Sequence, residues 1–389
     1  MRTYLDHNAG SPMRPGVRDA IVRVGTCAHG NPASVHRAGQ SARRALEQAR
    51  EQVAELVGAS PRAIVFTSGG TESNNLAISG AVRAAGGDRR CIVTSAIEHS
   101  SIIAPLAELE SQGFEIIRLA PDRDGRVNPD AVAAAIDQGV ALVTLGLVNA
   151  EIGTVMEVAP VARRAALMGA VFHLDAAQAA GRIELRAQDL GCDLMTLSAH
   201  KMGGPSGIGA LFVRPGLSLP PALLGGPQEH GLRAGTPNLI GAIGFGAAAV
   251  AVSESLDHER ARVAALADLL RDHLIASIAG LRLNGPREGR VGNTLNLTFP
   301  GVLGESMLIA LDLEGVEVSM GSACAAGAVE PSHVLIAMGR SAAEARSSLR
   351  ISLGWSTSAD DIAQAAEIIP RVWRRVANAE PAFDAEALR

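Results

Sequence analysis

Between residues 63 and 213 the chain alternates short apolar runs with longer amphipathic stretches, a rhythm that few folds accommodate. The runs 63–67, 91–94, 115–119, 141–147, 171–174, 194–197 and 210–213 read as strands. Helices are expected from about Glu72 and Ser101 and in most of the other intervals. Strands joined by crossover helices build a mostly parallel seven-stranded sheet, with its ligand beyond the carboxyl ends of the strands. Chemistry-bearing motifs fall at those ends: Ser68-Gly69-Gly70-Thr71, Glu98-His99, Asn149, Asp175 and His200-Lys201. After about Ile240 the pattern changes. Two long alanine-rich helices are expected at 240–255 and 257–279, strands at 293–299, 316–318 and 349–353, and a closing helix at 360–377. The expected organisation is α/β, with a large domain over 15–255 and a smaller α+β domain from 1–14 and 256–389.

Composition narrows the function classes. A net charge of −5 gives no electrostatic reason to bind nucleic acid or an anionic membrane surface. No apolar run approaches the length of a bilayer span, and the start Met1-Arg2-Thr3-Tyr4 carries no signal pattern, so a cytosolic location is expected. Cys27, Cys91, Cys192 and Cys324 are widely separated, which points to neither disulfides nor a zinc site.

Lys201 lies between a strand and the turn Gly203-Gly204-Pro205-Ser206-Gly207, a place where one amine can face a pocket. Such a lysine suits Schiff-base chemistry with pyridoxal phosphate (PLP); a solvated lysine is the alternative. The glycines before Glu72 free backbone donors for a phosphate, or merely start a helix. Asp175 ends a strand and could pair a protonated ring nitrogen, with Gln178 one turn further on, or could act as a plain N-cap. His99 could stack on a ring and move protons, or be structural. The loop 225–238 is either a surface connection or a phosphate donor across a subunit boundary. Arg350, inward on a strand, needs an anion: a substrate carboxylate or a structural partner. Cys324, in Gly321-Ser322-Ala323-Cys324, is the best nucleophile candidate; Cys91 and Cys192 read as core fillers and Cys27 stays ambiguous.

In order and spacing these motifs resemble the PLP-dependent cysteine desulfurases of the class V aminotransferase fold (fold type I). The resemblance runs from Tyr4-Leu5-Asp6-His7-Asn8-Ala9 through Gly30-Asn31-Pro32-Ala33-Ser34-Val35-His36 to beyond Arg350. Gly321-Ser322-Ala323-Cys324 with Glu330-Pro331-Ser332-His333-Val334-Leu335 is similar to the group that supplies sulfur for iron–sulfur clusters. The resemblance implies that Lys201 holds PLP, while Gly70, Thr71, Ser198, His200 and a partner subunit's Thr236 bind its phosphate. It also implies that His99 stacks on the ring, Asp175 pairs its nitrogen and Gln178 contacts its phenolic oxygen. Arg350, with Asn149, would bind the L-cysteine substrate. Lys201 would take the Cα proton, Cys324 would take the sulfur as a persulfide, and alanine would leave. A homodimer and a sulfur acceptor or iron–sulfur scaffold follow as partners, with Cys324 a transient cluster ligand at most.

The chain departs from the family pattern at Asn149-Ala150-Glu151, where Ala150 stands at the cofactor-facing asparagine. It departs again at Ser206, for a usual lysine, and at Gly10-Ser11, for two threonines. A missing hydrogen bond at Ala150 costs about 0.5–1.5 kcal/mol. The alternatives are selenocysteine lyase, another class V PLP enzyme such as an aminotransferase, and a catalytically weak sulfur-carrier or regulatory partner.

Overall fold

The computed structural model describes residues 2–25, 30–321 and 330–379, so Cys27 and Cys324 lie outside the described residues. Seven strands form the main sheet. In spatial order they are Ile64–Thr67, Gly209–Val213, Leu194–Ser198, Val171–Asp175, Val140–Gly146, Cys91–Ser95 and Glu115–Leu119. Only Gly209–Val213 runs against its neighbours. Alternate residues of the strands feed two cores, as the two-residue period of a strand requires. Ile64, Phe66, Met195, Leu197 and Phe212 join the core that includes Leu46 and Val53 of the helix Arg37–Leu56. Val65, Leu194, Leu211 and Leu142 join the core under the helices Gly70–Ala84 and Ser100–Ser111. The edge strand Glu115–Leu119 has no fully buried residue.

A second sheet, Ser348–Ser352, Thr294–Thr298 and Arg282–Asn284, is antiparallel, and Thr3–Tyr4 pairs in parallel with Val316–Glu317. These strands share a third core that also takes in Leu5, Leu311 and Ile369. The N-terminal strand is thus packed with the C-terminal part of the chain.

The two helices expected at 240–255 and 257–279 are one helix, Leu239–Ser277. Its polar middle, Ser253 to Glu259, reads in sequence as an end followed by a new cap. In the structure Ser255 Oγ bonds back to Ala251 O (2.7 Å) and Glu259 takes both terminal nitrogens of Arg14 (2.7 Å each), so the helix continues. Its buried side changes instead: Phe245, Ala249 and Val252 face the main core, and Val263, Ala267, Leu270 and Leu274 the third core. Contrary to the sequence expectation, this helix is long and apolar enough to cross a membrane, but half of that stretch is buried inside the fold. It packs on Pro15–Gly25, Arg37–Leu56 and Ala359–Ala379, as a core helix does.

The loop 225–238 is tied down through Glu229. Its carboxylate takes Arg50 Nη1 (2.6 Å), Arg50 Nη2 (2.8 Å) and the Phe66 amide (2.7 Å), all buried. Glu229 and His230 adopt φ of 47° and 58°, a conformation that side chains rarely take without such a lock. Glu229→Ala strands a buried guanidinium and is expected to cost about 3–5 kcal/mol in urea unfolding; a loss below about 1 kcal/mol would show that the pair is dispensable.

Candidate active site

Four strands deliver their ends to one region. Asp175 closes the strand Val171–Asp175; its Oδ1 accepts from the Ala177 amide (2.9 Å) and its Oδ2 from Asn74 Nδ2 (2.8 Å). Asp175 therefore does serve as a local cap, with one oxygen, and keeps the other for the site. Asn74 also donates to Ser101 Oγ (2.8 Å), and Ser101 Oγ meets His99 Nδ1 at 2.7 Å. The Ser101 amide donates to the same nitrogen (3.1 Å), so Nδ1 is an acceptor and neutral His99 carries its proton on Nε2. Burial, against the pull of Asp175, holds the His99 pKa below the usual histidine value. Sequence reasoning gave Asn74 no role. Its signal is spacing: it follows Gly70 by four residues on the same helix face.

The next strand, Leu194–Ser198, runs into a short 3₁₀ turn, Ala199–Lys201. Ser198 Oγ meets His200 Nδ1 at 2.9 Å, and burial, helped by Lys201, pushes His200 down to about 4. Gly70 opens the helix Gly70–Ala84 without a side-chain cap, and a Cβ there would lie 3.7 Å from Ser198 Cβ. Uncapped amides thus stand beside Ser198, an arrangement that binds anions. Thr71 is exposed at the same helix start. Arg233 of the loop 225–238 bonds Glu72 Oε1 (2.8 Å) and so ties that loop to this helix start, while Thr236 is exposed.

Lys201 Nζ donates to the carbonyls of Asn8 and Ala9, the latter at 3.0 Å. Burial, then the charges of Arg182 and Arg350, push its pKa from 10.5 to about 8. A lysine so placed has a large neutral fraction near pH 8 and is a competent nucleophile and base. Arg182 is itself pushed down to about 9, by burial and then by Arg350. It has Gln178 and Asn8 as neutral partners. Gln178 Nε2 donates to Asn8 O (2.9 Å), which leaves its second N–H free.

Arg350 is 6% exposed; its Nη2 bonds Asp6 Oδ1 (2.8 Å), its Nη1 the Ala150 carbonyl (3.4 Å), and its buried Nε has no partner among the described residues. The structural ion pair considered in the sequence is present, and it leaves part of the guanidinium's donor capacity unused. Asn149 is different. Its Oδ1 takes the amides of Glu151 (2.9 Å) and Ile152 (3.2 Å), and its Nδ2 bonds Ile97 O (3.0 Å). That closed turn engages both ends of the Asn149 amide with backbone.

Two acids, one of them in the strand-end pair Glu98-His99, carry no assigned role in the sequence reading. Glu98 accepts from Ser95 Oγ (2.6 Å) and the Gly146 amide (2.7 Å), and burial, against the Ser95 bond and with help from Asp175, pushes it up to about 8. Glu151 takes Ser332 Oγ at 2.5 Å, and burial raises its pKa. A Cβ on Gly321 would fall 2.0 Å from Glu151 Oε2, so a side chain there would displace the Glu151 carboxylate. His333 Nε2 bonds the Glu98 carbonyl (3.0 Å). Gly321 and Ser332, one on each side of 322–329, therefore both rest on Glu151. Cys192 is buried and Cys91 only partly so; burial pushes their thiols up to about 12 and 11. Among the described residues no group of three or more metal-binding side chains comes together.

The aminotransferase class-V family matches residues 3–364 of the chain. The cysteine desulfurase IscS of Dictyoglomus turgidum is 40% identical over 378 residues, 97% of this chain and 96% of that protein. A solved NifS-like protein superposes with a TM-score of 0.90 at 30% identity, covering 96% of this chain and all of that one (100%). SspA, solved in complex with cysteine, superposes with a TM-score of 0.79 at 34% identity over 90% of this chain and 99% of that one.

Proposed function

The chain belongs to the aminotransferase class-V family and is a PLP-dependent cysteine desulfurase, and on that premise we propose the part each site residue takes in moving sulfur from L-cysteine to Cys324. The observation that carries the reading is Lys201: a half-buried amine whose pKa is pushed down to about 8, near the buried guanidinium of Arg350. The residues fit the cofactor on their own chemistry. Uncapped amides at Gly70 and Thr71, with Ser198 and His200, suit a phosphate. The Asp175 oxygen facing Asn74 suits a cationic ring nitrogen, and the buried Asn74 Oδ1 has no partner among the described residues. Gln178 keeps one N–H for the phenolic oxygen, and His99 offers its ring face.

Bound PLP supplies an electron sink for the charge left on Cα. Lys201 would attach the cofactor and, once the substrate amine has displaced it, would take and hold the Cα proton. Arg350 clamps the substrate carboxylate, backed by Asp6 on Nη2. The Cys324 thiolate would attack the substrate sulfur: the S–S bond of a persulfide forms as the Cβ–S bond breaks, and its electron pair stays on the carbon skeleton released as alanine. Cys324 would then hand that sulfur to an acceptor protein, in a role that serves iron–sulfur cluster assembly. Any ligation of a cluster by Cys324 is transient and shared with that partner. Thr236, exposed here, completes the phosphate site of a second copy in a homodimer. The segments 15–255 and 1–14 with 256–389 act as two domains meeting at this site, in a cytosolic enzyme.

The test is L-cysteine alone with the holoenzyme: alanine and protein-bound sulfur are expected in equal amounts in the first turnover. Alanine without bound sulfur moves the reading to a lyase; no alanine sinks it. Arg350→Gln is expected to raise KM for L-cysteine about a hundredfold with a smaller change in kcat. An unchanged KM would take Arg350 off the substrate.

A further inference from the structure

We propose that Asn8 is the positioning residue through which the three-stranded sheet fixes Lys201 and Gln178, and that it must be a neutral amide to do so. Asn8 is 2% exposed and every polar group it carries is used. Its Nδ2 donates to Ala150 O and to Thr294 Oγ1, both at 2.9 Å. Its Oδ1 accepts from Arg182 Nη2 (2.8 Å) and Asn293 Nδ2 (3.1 Å). The Asn8 amide donates to Ser352 Oγ (2.9 Å). Its carbonyl accepts from Gln178 Nε2 (2.9 Å) and Lys201 Nζ. Two donors and two acceptors saturate the side-chain amide and leave it one orientation. That orientation aims the carbonyl at the lysine. Thr294 begins the central strand of the second sheet, Asn293 precedes it and Ser352 ends the neighbouring strand, and Ala150 O is also the carbonyl that Arg350 Nη1 approaches. One residue thus links the lysine, the carboxylate clamp and the smaller domain.

Neutrality matters because of what surrounds Lys201. Arg182 and Arg350 lower its proton affinity, Asp6 and Asp175 raise it, and His99 and His200 lie close by. Asn8 holds Arg182 without cancelling its charge. Aspartate at this position keeps the size and the acceptors, pairs with Arg182, and removes the positive field that keeps the amine reactive. It also loses both donors, to Ala150 and Thr294.

The proposal rests on Lys201 carrying the cofactor, and its test separates the two ideas. In the Asn8→Asp holoenzyme, the pH midpoint of the lysine-linked cofactor absorption is expected to rise by about one unit. The ascending limb of kcat/KM should follow it, in a protein that is folded but less heat-stable for the two lost donor bonds. Asn8→Ala is expected to lower kcat about tenfold, with KM nearly constant. Wild-type titration and turnover in both variants overturn the proposal. If neither variant folds, Thr294→Val carries the test. It removes one acceptor from Asn8 Nδ2 without touching the lysine; a moved midpoint supports the role, an unmoved one refutes it. Lys201→Ala is run alongside: absorption that survives there defeats the lysine assignment itself, whereas its loss with unmoved Asn8 variants defeats only Asn8.

Discussion

Lys201→Ala is expected to lose the lysine-linked absorption band and at least about a thousandfold in alanine formation. Two functions should disappear together, because in the proposed mechanism the same amine attaches the cofactor and moves the Cα proton. The grips proposed for phosphate and ring nitrogen, at Gly70, Ser198, His200 and Asp175, are separate from it, so PLP should still bind, but reversibly and removably by gel filtration. The pH dependence has a definite sign. The folded-state pKa is lowered to about 8, so wild-type activity should rise as pH passes through that value and the amine loses its proton. In the variant that limb should vanish, and a small primary amine added to the buffer should restore part of the rate. Loss of the methylenes and ammonium also frees the Asn8 and Ala9 carbonyls, so some stability should be lost with the activity. A retained band with a retained limb would assign both functions to another group.

Cys324→Ala should be as damaging to turnover and harmless to the spectrum. Alanine formation from L-cysteine is expected to fall at least about a hundredfold, with no sulfur bound to protein. The described cysteines cannot replace it. Cys192 is buried with its thiol pushed up to about 12, and Cys91 to about 11, so neither offers thiolate near neutral pH. Equal turnover by wild type and variant would remove Cys324 from the chemistry and favour direct release of the sulfur.

The parts of this site that could be read from sequence are those set by local rules. A strand end followed by a polar residue places Asp175, His99 and Lys201 correctly, because the two-residue strand period and the parallel topology leave little choice. The closed turn at Asn149 is local as well: a side-chain oxygen bonding amides two and three residues on is a known preference of asparagine. The helix Leu239–Ser277 was misread where serines and acids mimic caps, since only the packing on both sides shows that they do not stop it. From sequence, Asn8, Arg182 and Glu151 carry no legible role, and Glu98 is marked only by its place in a strand-end motif. Their partners lie far away in sequence, Asn8 to Ser352 across 344 positions and Glu151 to Ser332 across 181. No local pattern encodes such burial.

The pairing of Thr3–Tyr4 with Val316–Glu317 sets a timetable for synthesis. Thr3, Tyr4 and Leu5 leave the ribosome long before the strands they pack with, while the strands from Ile64 to Val213 can pair earlier. At roughly 5–20 residues per second, Asn8 emerges about 17–70 s before Ser352, which fixes its amide. A nascent chain can therefore build the sheet that carries Lys201 well before it can aim that lysine. The reactive amine is brought into register only when the protein is whole, and a chain truncated before Ser352 should hold its main sheet yet lack a properly set active site.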